Sequence, residues 1–191
     1  MEYRIYGDTI QYLVTSLSKN EKVFADIGTV VMKDIGIKMN ADYQQLLEHS
    51  LSLDTQSFIE FRNVLNSKKK MIFSIQSACE IMELESHESY YINPQRILCA
   101  NHPLKQQSGT LALLDKMHLF LYGYGEIFSR RLDENTYFKF DANTVLAISE
   151  DTFIEKSDND SVSLKGPGQV WLSTLGEPVR ISQSIWVKEI E

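Results

Sequence analysis

Three times along the chain a leucine is followed, thirteen residues later, by a pair of apolar residues: Leu17 to Val30-Val31, Leu84 to Ile97-Leu98, and Leu132 to Val145-Leu146. Each interval opens on a polar turn (Ser18-Lys19-Asn20, Glu85-Ser86-His87, Asp133-Glu134-Asn135). Each then carries a short apolar or aromatic pair, VF at 23–24, YY at 90–91 and YF at 137–138. Runs this short, rich in β-branched and aromatic residues and bounded by turn residues, are strand-forming. The pattern therefore demands stacked β units. A second similarity joins KMIFSIQSACEI (70–81) to KMHLFLYGYGEI (116–127), which align without a gap and share Lys-Met at one end and Glu-Ile at the other.

In chain order, Ile5, Ile10, Tyr12 and Val14 are the expected inward positions of a first hairpin that turns at Gly7-Asp8. KVFAD and TVVMK form two further strands around Ile27-Gly28. The β pattern breaks at residues 40–53, where Tyr43, Leu46, Leu47 and Leu51 fall at helical spacing behind an Asp42/Gln45 capping box, so one helix is expected near 42–52. SFIEFR (57–62) returns to strand. Residues 102–111 read as a loop, FIEKS and VSLK as a hairpin around Asp158-Asn159-Asp160-Ser161, and Gly166-Pro167-Gly168 as the break before the strand QVWLST. The tail alternates, with Val179, Ile181, Ile185 and Val187 on one face and Trp186 among polar residues on the other. The expected fold is all-β, a double-stranded β-helix or barrel-like antiparallel sandwich. It forms a single β domain over 1–191, with units at about 3–39, 57–101 and 111–155 and C-terminal strands over 162–190.

A net charge of −7 opposes nonspecific nucleic-acid binding, which depends on neutralising phosphates. The one long basic run, Lys68-Lys69-Lys70, reads as a solvated loop in preference to an anion site. No apolar window is long enough to span a bilayer, which leaves a peripheral association with a membrane open. Cys79 and Cys99 match neither a disulfide framework nor a zinc site, and the N-terminus carries no targeting pattern; both point to a reducing, cytoplasmic location.

The stretches EYRIYGDTIQYLVTSLSKNEKVFADIGTVVMKDIGIKM (2–39), YGYGEIFSRRLDENTYFKFDANTVLAISEDTFIE (122–155) and LKGPGQVWLSTLG (164–176) resemble the altered inheritance of mitochondria protein 24 family. The resemblance implies stacked antiparallel strands and, for mitochondrial members, a role in inner-membrane organisation. It supplies no catalytic residues. The chain departs from the family where a glycine-rich segment follows the first unit, since only Gly36 remains there.

The residues offer little chemistry. His49, His87, His102 and His118 contain no HxH or HxxxH pair for a metal, and only His118 falls in an expected strand. His49-Ser50 point apart on a helix, and no G-x-S-x-G elbow exists. The DNDS turn lacks the spacing of a calcium loop, and Gly166-Pro167-Gly168 is not followed by the Lys-Ser/Thr of a phosphate loop. Gly123 and Gly125 suggest a bend or bulge. Neither cofactor nor metal is expected. Trp171 and Trp186 are the candidate subunit-interface residues, because large apolar groups are seldom left bare. The expected function is a non-enzymatic scaffold or binding module, homo-oligomeric and acting on an unknown protein partner. The competing reading is a small-molecule-binding or enzymatic β-barrel with an interior pocket.

Overall fold

A computed structural model describes residues 1–40, 58–75, 77–84, 89–103, 111–112, 117–157 and 161–176. The expected helix near 42–52, the loop at 104–110, the alternating tail and Trp186 lie outside the described residues. What is described is all-β and antiparallel, and forms a sandwich-like arrangement of three sheets that do not close into a barrel.

The first sheet runs β1 (Glu2–Tyr6), β2 (Tyr12–Leu17), β7 (Lys69–Phe73), β4 (Val30–Lys33). The large sheet runs β11 (Leu111–Ala112), β9 (Ser89–Ile92), β14 (Val145–Ser149), β17 (Gly168–Leu175), β12 (Leu119–Leu132), β10 (Ile97–Ala100), β3 (Lys22–Asp26), β6 (Phe58–Asn63), β5 (Ile37–Asn40). Off that path β8 (Cys79–Leu84) also pairs with β12. The third sheet is β13 (Tyr137–Asp141), β16 (Ser161–Lys165), β15 (Phe153–Ser157).

β12 organises the large sheet. Its first half pairs with β8 and β10 and its second half with β17. The change of partner falls at Gly125, which has φ +72° and shares Cys79 as register partner with Tyr124. That is the expected bulge: an extra residue in a left-handed conformation re-aims the strand, and glycine adopts it without steric cost.

Three cores follow from this layout. Leu13, Leu17, Met71 and Phe73 of the first sheet pack on Val23, Phe61, Leu98 and Phe120 of the large one. Val162 and Leu164 of the third sheet pack on Leu132, Val145, Val170 and Leu172. Leu84, Tyr90, Leu119, Leu121 and Leu146 form another cluster, with Trp171 at its margin. β17 is thus lined on both faces, by Val170 and Leu172 on one side and Trp171 on the other.

The thirteen-residue pattern has a common structural content. Its leucines, Leu17, Leu84 and Leu132, are all buried. Nine residues beyond each stands Asp26, Asn93 or Asp141, whose side chain accepts a hydrogen bond from the backbone N–H two residues on and caps a one-turn 3-10 helix. A short polar side chain bonding its own following backbone is the standard turn device of Asn and Asp. Each turn delivers the chain into β4, β10 or β14. Twelve residues beyond the leucine, Thr29 and Thr144 bond back to the carbonyl of the capping residue at 2.8 Å. The middle copy has Arg96 there instead.

Two expectations are corrected. In the first hairpin the inward set is Leu13, Thr15 and Leu17, whereas Ile10 is 60% exposed and Tyr12 38%. The loop of residues 7–11 carries Ile10 outside the β2 ladder, so its phase does not predict that of the strand, and a shift of one residue exchanges the faces. The gapless similarity of 70–81 to 116–127 is also not structural: the former splits into β7 and β8, the latter enters one continuous strand. The split is stabilised at Ser74, whose N–H bonds Thr29 O and whose Oγ bonds Gln11 O.

Candidate functional site

A polar cleft opens at the end of β12, has a volume of about 540 Å3, and draws its walls from four separate segments. Ser89 opens β9. Arg131 and Leu132 end β12, and Asp133-Glu134 turn the chain toward β13. Ser149 ends β14 and leads into the turn Glu150-Asp151. Pro167, Gly168, Gln169 and Trp171 come from the start of β17. Ladder pairing holds Arg131 opposite Gln169 and Leu132 opposite Gly168.

The turn beneath the cleft is closed by Thr152 N–H donating to Ser149 O at 3.0 Å, and Glu150 N–H donates to Ser89 O at 3.0 Å. Ser149 Oγ accepts from Gln169 N–H at 2.8 Å and lies 3.1 Å from Thr152 Oγ1. Gly168 sits against this pair with φ +146°; a Cβ there would fall 1.9 Å from Thr152 Oγ1 and 2.8 Å from Ser149 Oγ. Only glycine fits.

Asp133, Glu134, Glu150 and Asp151 are exposed around the rim, as is Arg131. Among the described residues none of the five forms an ion pair with another, so the rim carries an excess of three negative charges. The half-buried Trp171 gives the cleft an aromatic wall, its ring edge-on to buried Tyr90 at 5.4 Å between centroids. Carboxylates around an indole suit a cation with an apolar stem, since the ring face attracts positive charge and the stem covers apolar surface. The rim carboxylates are exposed, and among the described residues Ser149 Oγ has Thr152 Oγ1 and the Gln169 N–H as its hydrogen-bond neighbours.

The candidate interface residue Trp171 therefore lines this cleft. His118 stands immediately before β12, with Nδ1 2.5 Å from Glu83 Oε1. Glu83 also accepts a hydrogen bond from Tyr3 Oη, and this bond to a carboxylate pushes the Tyr3 phenol up to about 12. His118 is thus a hydrogen-bonded histidine. Among the described residues no three of His, Cys, Asp and Glu converge as a metal would need. Cys79 and Cys99 are buried and form no disulfide, the Cys79 thiol donating to Gln11 O at 3.7 Å, and burial raises both thiols.

Sequence reasoning missed Arg96. It is 2% exposed; its guanidinium donates to Asn143 O at 2.8 Å and lies 4.6 Å from the Tyr124 ring centroid and 5.9 Å from that of Tyr122. Nε has no partner. Arg96 thereby ties the second 3-10 turn to the third. Its departure from threonine in the pattern was the available signal.

A sandwich of antiparallel sheets with an acidic surface cleft is the class of fold that the described residues define. The chain belongs to the family described as Mitochondrial biogenesis AIM24, whose model matches residues 3–175. It is also similar to the crystal structure of SPYM3_0169, a protein from Streptococcus pyogenes, with a TM-score of 0.66, 14% identity, and coverage of 92% of this chain and 94% of the other. That likeness shows the shared fold. No curated protein matches the chain.

Proposed function

We propose that this protein is a non-enzymatic binding module, a homo-oligomeric scaffold of the cytoplasm that holds a cation-bearing segment of a protein partner in the acidic cleft. The observation that carries the reading is the cleft itself: four exposed carboxylates around an indole. The space between the sheets supports it too, being filled by buried side chains such as Phe61, Phe73 and Phe120, where an enzymatic barrel would need a polar interior pocket. Buried thiols that form no disulfide favour a reducing compartment. Uncovered strands at sheet edges, among them β13 with Tyr137 55% exposed and β15 with Phe153 63% exposed, favour assembly of copies, with Trp186 as the proposed contact, whereas Trp171 belongs to the cleft. An acidic cleft disfavours nucleic acid as partner.

The reading is tested by measuring binding of lysine- and arginine-rich peptides to the full chain by calorimetry. Saturable binding that Asp133→Lys with Asp151→Lys abolishes supports it. Equal binding by the variant, or binding confined to acidic peptides, would sink it.

A further inference from the structure

We propose that the end of the molecule formed by the β4–β5 and β6–β7 connections is a docking surface for an anionic lipid bilayer. Its apex is Ile35, which is 93% exposed, an extreme value for an isoleucine in a chain that buries most of its aliphatic residues. It is not alone. Val64 N–H donates to Gly36 O at 3.0 Å, which brings the second connection alongside the first, and Leu65 lies over Gly36 so closely that a Cβ there would fall 2.3 Å from Leu65 Cδ1. Val64 and Leu65 are themselves 36% and 41% exposed. The result is a small apolar prow.

Cations surround it. Residues 33–38 contain two lysines and one aspartate, and residues 64–70 three lysines and no acid, in a chain whose overall charge is −7. The fold joins the two groups. Lys33 pairs with Met71 in the β4–β7 ladder, Asp34 N–H donates to Lys70 O at 2.9 Å, and Lys70 N–H donates to Asp34 Oδ2 at 2.8 Å. Lys33 Nζ donates to Ile37 O at 3.2 Å, so it too is held at the apex, and Lys38 follows on β5. The acids nearby are committed: Asp34 to the Lys70 backbone, and Glu2 to Lys68 at 2.5 Å.

An exposed aliphatic apex ringed by lysines is the combination an anionic membrane interface rewards. The apolar group enters the acyl boundary while the ammonium groups stay among the headgroups. Nucleic acid would use the lysines and leave Ile35 bare; an acidic protein would be steered by the charges and make no special use of the apex. The basic run that reads as a solvated loop in the sequence acquires this role only because the fold sets it beside Ile35.

The test is flotation of the full chain with vesicles of phosphatidylcholine alone and with vesicles in which part of it is replaced by phosphatidylglycerol. Each lysine at an anionic surface changes partitioning about fivefold, so Lys69→Gln with Lys70→Gln should lower it about thirtyfold. Ile35→Asp should abolish flotation. An environment-sensitive dye on Ile35→Cys should shift to the blue only with anionic vesicles, the native thiols being 1% and 0% exposed. Unchanged melting temperatures check that the variants fold. Absence of flotation, flotation indifferent to these substitutions, equal binding to neutral vesicles, or equally tight retention on polyglutamate would each overturn the proposal.

Discussion

Replacing Arg96 tests how the second and third units are joined. Among the described residues the buried guanidinium meets no carboxylate, and its charge rests on the Asn143 carbonyl and the faces of Tyr124 and Tyr122. Loss of a hydrogen bond from a charged donor costs about 1.5–3 kcal/mol, and loss of a desolvated cation–π contact about 2 kcal/mol. Against these stands relief of an unpartnered Nε and of a buried charge, worth about 1–2 kcal/mol. Arg96→Ala should therefore lose about 3 kcal/mol. Arg96→Thr introduces the hydroxyl that Thr29 and Thr144 use to bond back to the capping residue, here Asn93, and should recover about 1 kcal/mol relative to alanine. Urea unfolding reads both. With a slope of about 2–3 kcal/mol per molar, the alanine midpoint falls by roughly 1 M. An alanine variant within about 1 kcal/mol of the parent, or a threonine variant no better than alanine, would refute the reasoning.

Other consequences can be checked with the same protein. Gly168→Ala drives a Cβ into Thr152 Oγ1 at a backbone conformation hostile to side chains, and should cost about 3 kcal/mol or more in urea unfolding; a neutral result would remove the strain argument. Glu60 is held below the usual carboxylate range, first by its hydrogen bond from Lys22 and then, against partial burial, by the charges of Lys22 and Arg62. Since its folded value is the lower one, its stabilisation is present above the unfolded value of about 4.3 and is lost as pH falls through the folded value. Glu60→Gln should make stability fall less steeply below that pH, and an unchanged acid slope would count against the pair. Light scattering should give at least twice 22.0 kDa, and Trp186→Glu should lower it; a 22.0 kDa particle at micromolar concentration would refute the oligomer.

What the sequence made legible was local. Alternation, turn residues and the recurring leucine marked most described strands, and Gly125 announced the bulge. The 3-10 turns were also within reach, since Asp26, Asn93 and Asp141 occupy one position of the pattern and Pro94 opens the middle turn. The phase of the first hairpin was not, because Ile10 belongs to the preceding loop and the ladder with β7 sets which face of β2 is inward. Nor was the cleft. Ser89, Asp133, Asp151 and Gln169 are brought together only by the β9–β14–β17–β12 order, and nothing in their local sequences encodes that order. Arg96 was hidden for a related reason: its partners are a carbonyl and two rings, none of them recognisable as a charge's counterpart.

The most direct test of the account is affinity capture from the native cell on the full chain and on the Asp133→Lys/Asp151→Lys variant in parallel, quantified by mass spectrometry. The account predicts a set of proteins held by the parent through basic segments and lost by the variant. Identical sets from both, or turnover of a small molecule that the parent performs and the variant does not, would contradict it.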